Sequence, residues 1–365
     1  MNYKNLKVIY IPEKLKNNFY VKEAIKKFSD NSQIIYLKEI KEIRKFFDEL
    51  DIKKKFEIGK ETLLFLEKKG RILKPCPGTH NLRCCNYTVL DTGLNCPFDC
   101  QYCFLQFYLN FYPNILFVNI EKKLNEKINF FKKAKKYIRI GTGEFIDSLV
   151  FDDLIPFSKI LINFFKDYKN IILEFKTKSN KTENLLRENP YSNIVVSYSL
   201  NSEKIINLYE LKTTTLSERI KCLKILSEYG YKVGIHFDPI FYYKDCFKDY
   251  SDMFEQIFNS QIKENSICWI SLGTFRFNSK LKPIVKIRFK ETEIFTGEFV
   301  QCADEKFRYF QKNRIKIYNF FINQIRKKYP KVFIYLCMES PTVWKNTLGW
   351  FPESDKMLAN AFFEN

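Results

Sequence analysis

A chain of 365 residues exceeds what one hydrophobic core usually serves, so one large domain with smaller additions is expected. Hydrophobic residues at 45% and aromatic residues at 17% exclude a disordered chain, and no run approaches the roughly 20 apolar residues of a membrane span. The net charge of +19, 61 basic minus 42 acidic residues, favours a polyanionic partner whose binding weakens with salt, but equally fits a lysine bias spread over every element.

The amino terminus "MNYKNLKVIYIPEKLKNN" holds a five-residue apolar run, too short for the hydrophobic region of a signal peptide, so a reducing cytoplasm is the expected compartment. There, eleven cysteines point to metal or redox chemistry before disulfides. Six of them fall between Cys76 and Cys103. The other five (Cys222, Cys246, Cys268, Cys302 and Cys337) are scattered, and each alone reads as a core residue.

Residues 1–75 read as a small α/β domain: strand "KVIYI", helix "VKEAIKKF", strand "QIIYL", helix "IKEIRKFFDEL" and strand "TLLFLEKK", without a Gly-rich phosphate loop. After the turn-rich "KPCPGTHN", strands and helices alternate over residues 76–300. The strands are "NYTVLDTG", "KYIRIGT", "NIILEFKT", "NIVVSYSL", "YKVGIHFDPI" and "ICWISLGTFR". Six such strands with intervening helices predict a parallel sheet, either open and doubly wound or a partial barrel, with chemistry at the carboxyl ends of the strands. Residues 301–365 form a carboxyl-terminal extension: a helix near 303–328, the strand "VFIYLC" and the tail "PTVWKNTLGWF".

Just past the first strand of that sheet, "NCPFDCQYCFLQFYLN" places Cys96, Cys100 and Cys103 in one tight loop. Three thiolates can bind three irons of a [4Fe-4S] cluster and leave the fourth iron open to a non-protein ligand. Structural zinc would need four ligands, and His80 and His236, the two histidines, do not fall in a zinc-finger pattern. The next strand ends in "RIGTGEF", where Gly141 and Gly143 allow close backbone approach and Glu144 offers a carboxylate to an ammonium group.

The C-x3-C-x2-C spacing with Tyr102 before the third cysteine resembles the signature of radical S-adenosylmethionine (SAM) enzymes. In that superfamily the amino and carboxylate groups of SAM chelate the open iron, and one-electron reduction yields a 5'-deoxyadenosyl radical. The run "KPCPGTHNLRCCNYTVLDTGLNCPFDCQYCFLQFYLN", with "SYSLNSEKI", "TTTLSERI", "GYKVGIHFDPI", "LGTFRF", "EKFRYF" and "YLCMESPTVW", is similar to the spore photoproduct lyase family of DNA repair enzymes and their relatives. The likeness covers most of the chain after residue 70.

The resemblance implies a partial (β/α)6 barrel of the radical SAM type, a [4Fe-4S] cluster and SAM as cofactors, a nucleic-acid substrate, and an electron donor such as flavodoxin or ferredoxin. Residue by residue it implies a SAM-ammonium element at Gly141, Gly143 and Glu144, SAM contacts from Lys178 and Ser199, and a substrate phosphate at Arg276. His236 and Asp238 share one strand face and are expected as SAM or substrate contacts, the simpler reading being a buried histidine that satisfies hydrogen bonds. Rival readings are a radical SAM enzyme acting on a peptide or small metabolite, and an iron-sulfur nucleic-acid-binding protein without catalysis.

The sequence departs from the lyases at two positions. They pass hydrogen through a cysteine after the second strand and a tyrosine after the third cluster cysteine; here Glu144 and Phe104 stand there. Tyr102 and Tyr309 remain as tyrosines of the relay, and Cys337 is the thiol expected to reach the substrate. Cys76, Cys84 and Cys85, at the opposite end of the first strand from the cluster loop, are expected as buried thiols, a second metal site with His80 being the alternative.

Overall fold

The computed structural model describes residues 5–28, 31–76, 82–83, 85–134 and 136–364. In the amino-terminal unit, β1 (Val8–Pro12) pairs in parallel with both β2 (Gln33–Leu37) and β3 (Thr62–Leu66). The short helices between them bury one face each, as Ile43 and Phe47 do in the helix Lys41–Asp48.

A larger sheet begins with β4 (Leu73–Pro75), antiparallel to β5 (Thr88–Leu90). Two short strands follow: β6 (Gly93–Leu94) leads into the cysteine loop, and β7 (Asp99–Cys100) lies within it. The chain then returns to the first unit as β8 (Asn114–Phe117), parallel to β3 and antiparallel to β6. Strand pairing therefore runs from the amino-terminal unit directly into the segment that carries the cysteines.

From β5 the large sheet continues in parallel through β9 (Ile138–Gly141), β10 (Ile171–Thr177) and β11 (Ile194–Ser199). After β12 (Glu210–Leu211), which pairs with β7, come β13 (Lys232–Ile240) and β14 (Ile267–Thr274). These are the six predicted strands, in sequential order and nearly continuously buried, as expected for parallel strands covered on both faces. The sheet curls into a half-barrel of the α/β class.

A small antiparallel sheet of β15 (Arg276–Asn278), β16 (Phe299–Gln301) and β17 (Lys306–Tyr309) sits beyond the end of β14. Its rings form a separate apolar cluster with Phe275, Phe277 and Tyr309. After the helix Gln311–Lys328, β18 (Ile334–Leu336) pairs in parallel with β14. The strand "VFIYLC", expected in a carboxyl-terminal extension, is thus the seventh parallel strand of the same sheet. It satisfies backbone groups that β14 would otherwise present as an open edge. Among the described residues no helix is long and apolar enough to cross a membrane.

Candidate active site

The carboxyl ends of the parallel strands open on a cavity of about 450 Å³. Cys96, Cys100 and Cys103 line one side of it. Their loop starts at Asn95, whose left-handed backbone (φ 64°) suits asparagine and whose side-chain amide donates to the Phe111 and Pro113 carbonyls at 2.7 and 2.9 Å. Arg288 donates to both carboxylate oxygens of Asp99 at 2.8 and 3.0 Å, and pairing of β7 with β12 holds the loop's middle.

The wall contributed by β9 and β10 carries most of the charge. Gly143 is needed for close approach: a Cβ there would lie 2.8 Å from both the Cβ and the carbonyl oxygen of Lys176. Next to it Glu144 lines the cavity, and its carboxylate meets no hydrogen-bond or ion-pair partner among the described residues. Burial raises the Glu144 pKa, with Asp238 adding to the rise and Lys176 opposing it. Lys176, near the end of β10, and Lys178, just past it, also line the cavity. The Lys178 ammonium stands 5.8 Å from the centre of the Tyr102 ring; burial works against its charge, but the Glu210 carboxylate draws its pKa up. Asp147 fastens the turn, accepting from the Thr177 hydroxyl and the Lys178 amide, each at 2.7 Å.

The other wall comes from β11, β13 and the start of β15. Ser199 lines the cavity at the end of β11, and its carbonyl accepts from Arg219 at 3.0 Å. His236 and Asp238, expected to act together, are separated by depth. Asp238 reaches the cavity and pairs with Arg276 through two hydrogen bonds of 3.0 and 3.2 Å. Burial would raise the Asp238 carboxyl, but Arg276 brings it below its ordinary range. His236 does not line the cavity and is bonded at 2.8 Å through Nε2 to Glu174. Burial pushes its imidazole down to about 4, so it is neutral at pH 7 and Nε2–H is the donor.

The remaining expected residues fall in different places. Tyr102 lines the cavity, but its hydroxyl donates to Glu210, which also accepts from Arg219. Tyr309 is 2% exposed and stacks on Phe299 at 4.5 Å, away from the cavity. The bare α-carbon of Gly141 makes room for the Tyr87 hydroxyl, a packing role. Cys337 lies behind Arg276, whose Nη2 donates to its sulfur at 3.3 Å, while the adjacent Met338 reaches the cavity. Cys76 and Cys85 are half-buried and packed near Tyr87; Cys84 and His80 lie outside the described residues.

Sequence reasoning missed Lys176, Asp147 and Glu210. Lys176 was findable, since it stands two residues before Lys178; Glu210 was not, because its partner Tyr102 comes from 108 positions away. It also missed an aromatic wall of Phe104, Phe107, Tyr108, Phe275 and Phe277.

The donor set can be tested against a metal. Among the described residues no three Cys, His, Asp or Glu side chains converge closely enough to hold a single ion. Three thiols around the rim of one cavity instead suit a cluster, which takes one thiolate per iron. Burial pushes Cys96 up to about 12 and raises Cys100 and Cys103 as well, so these thiols keep their protons until a cation compensates.

The family model described as spore photoproduct lyase matches residues 7–336. The spore photoproduct lyase of Clostridium acetobutylicum is 23% identical over 284 residues, covering 76% of this chain and 82% of the relative. That of Bacillus subtilis is 25% identical over 218 residues, covering 59% and 62%. Two solved structures superpose with a TM-score of 0.77 over 90% of this chain and 98% of the other. One is a spore photoproduct lyase mutant with bound AdoMet and dinucleoside spore photoproduct, at 18% identity. The other is a spore photoproduct lyase complexed with dinucleoside spore photoproduct, at 19%. At such identities the superpositions establish a shared fold.

Proposed function

This chain belongs to the spore photoproduct lyase family of radical SAM enzymes, and from that premise we propose that it carries a [4Fe-4S] cluster on Cys96, Cys100 and Cys103, cleaves SAM reductively and acts on nucleic acid. The observation that carries this reading is one cavity that joins the three thiols to an unpaired carboxylate and to Lys176 and Lys178. Bound together, cluster and SAM supply a one-electron cleavage of the sulfonium that yields a 5'-deoxyadenosyl radical, the electron coming from a donor such as flavodoxin or ferredoxin.

The chain's own residues bind, orient and exclude water. A half-buried carboxylate without a hydrogen-bond partner is costly, and an incoming ammonium group relieves that cost, so Glu144 is the acceptor for the SAM amino group. Lys178 suits the SAM carboxylate through a charge-assisted hydrogen bond, with Ser199 and the Gly143 backbone beside it. The aromatic wall keeps water out and offers flat faces on which bases stack. Arg276 meets a substrate phosphate as half of a neutral pair with Asp238, not as a bare cation.

Hydrogen return to the product separates this chain from the lyases it resembles. Phe104 has no O–H hydrogen and Glu144 no thiol, while the Tyr102 hydroxyl is engaged by Glu210. The reading therefore gives the donor role to Cys337, whose sulfur is held by Arg276 beside the cavity. Wild-type protein should cleave SAM to 5'-deoxyadenosine but reverse spore photoproduct poorly, and Cys337→Ala should keep SAM cleavage while lowering the yield of the true product.

Anaerobic reconstitution tests the core of the proposal. The wild type should gain iron-dependent absorbance at roughly 400 nm, and the triple cysteine-to-alanine variant should lose it. Mass spectrometry of nucleic acid, peptide and metabolite pools incubated with reduced protein and SAM then identifies the substrate. Substantial cluster in the triple variant, or products confined to peptide or metabolite pools, counts against this reading.

A further inference from the structure

We propose that Lys60, contributed by the amino-terminal unit, positions the cysteine loop and sets the reduction potential of the cluster held there. The inference rests on the cluster reading above.

Lysines in this chain mostly point to solvent, and Lys60 does not. At the end of the helix Ile52–Lys60, its ammonium turns inward and donates to the carbonyl oxygens of Cys96 and Phe98, both at 2.6 Å. One cation thus closes the turn that begins at the first cluster cysteine.

Lys60 is itself held by the strand that leaves the loop. The Asn114 side-chain amide, fully buried at the start of β8, donates to the carbonyls of Gly59, Lys60 and Thr62 at 3.2, 3.3 and 2.9 Å. Gly59 and Lys60 are the last two residues of the helix and Thr62 the first of β3, so one amide ties the helix end to the strand that follows it. Gly59 packs so closely that a Cβ would sit 2.5 Å from the Tyr112 carbonyl oxygen, so the helix end and the chain after the loop are fixed against each other. The brace is closed: the loop's entry hangs on Lys60, and its exit locks the backbone of Lys60.

The same charge acts on the sulfurs. The Lys60 ammonium is bonded to the backbone of Cys96 itself, within the short loop that carries all three sulfurs to the cavity. A fixed cation favours whichever redox form carries more negative charge, so it eases the uptake of an electron by a thiolate-ligated cluster.

The test compares wild type with Lys60→Met, Lys60→Gln and Lys60→Arg as anaerobically reconstituted full-length proteins, following the reduced cluster by electron paramagnetic resonance in a redox titration. Met and Gln should lower the reduction equilibrium constant about tenfold, which for one electron is about 59 mV more negative, while Arg should stay near wild type. Hydrogen exchange of the cluster-free proteins gives a second readout. Met should speed exchange of the loop amides between residues 97 and 104 several-fold, whereas Gln and Arg, which keep a donor, should do so less. Unchanged potential in Lys60→Met at wild-type iron content, or an equal loss of potential in Lys60→Arg, would overturn the charge role; unchanged exchange in Lys60→Met would overturn the positioning role. A wild type that takes up no cluster overturns the functional reading and the potential with it, and exchange then decides the positioning role alone.

Discussion

Glu174 and Lys176 follow one another on one face of β10, with Lys178 just past its end, yet the deep end of that face and its mouth treat charge in opposite ways. At the deep end Glu174 is fully buried and accepts from Arg139 at 2.7 and 3.1 Å, from His236 at 2.8 Å and from the Ser197 hydroxyl. The Arg139 guanidinium lies 4.4 Å from the Trp269 ring centre and 4.3 Å from that of Phe362. Every charge there has a partner. At the mouth, Glu144 and Lys176 face the cavity without one among the described residues. Matched, fully buried charge belongs to the architecture, and the unmatched, half-buried charge at the mouth is open to a ligand.

Removing one member of the deep network should have the largest effect. Glu174→Ala strands the Arg139 guanidinium in the half-barrel and should cost about 3–5 kcal/mol in denaturant unfolding. A loss under about 1 kcal/mol would erase the distinction between the two ends.

The deep network also predicts a pH dependence. The folded pKa of His236 is about 4, below the unfolded value of roughly 6.5, so the unfolded chain takes up the proton first as pH falls. Stability should be full above about pH 6.5 and drop by a few kcal/mol toward pH 4. Glu174, held below its ordinary range against the pull of burial by Arg139 and His236, adds a further loss below its unfolded value of about 4.3. In His236→Gln the stability profile between pH 4 and 6.5 should flatten; an unaltered slope would mean that other groups carry it.

At the mouth the effects should move from stability to binding. Glu144→Gln keeps the shape and removes the charge, and SAM affinity measured by calorimetry should fall by roughly 1.5–3 kcal/mol with folding stability unchanged or raised. The smallest change is expected for Lys176→Met, within about 1 kcal/mol of wild-type stability, because no ion pair is lost. A large destabilisation from either variant would place the mouth with the architecture after all.

Much of the fold was legible because its signals are local. The six βα strands announce themselves by continuous apolar runs, and the three cysteines by their spacing within a single loop. The seventh strand was legible as a strand but not as a member of the sheet: only three of its residues pair with β14, and which edge a short strand joins is decided by what remains open when the other strands have assembled. His236 and Asp238 show a second kind of limit. Period two correctly places both on one face, but depth along the strand separates a neutral imidazole in a buried network from a carboxylate at the cavity.

What the sequence determined by itself was the chemistry on offer: three thiols in one loop after the first strand, a carboxylate next to a glycine after the second, and a lysine after the third. Those features depend on covalent spacing and strand periodicity, which any folded form of the chain must respect. The tertiary structure alone decided which charges would be matched. Glu174 meets Arg139 across 35 positions and His236 across 62, Arg276 meets Asp238 across 38, and Lys60 reaches the Cys96 carbonyl across 36. A charged side chain reads the same in sequence whether it ends in a network, in solvent or in a ligand site. Its partners are chosen by which strands lie side by side, and the cost of burying an unpaired charge makes that choice decide between structure and function.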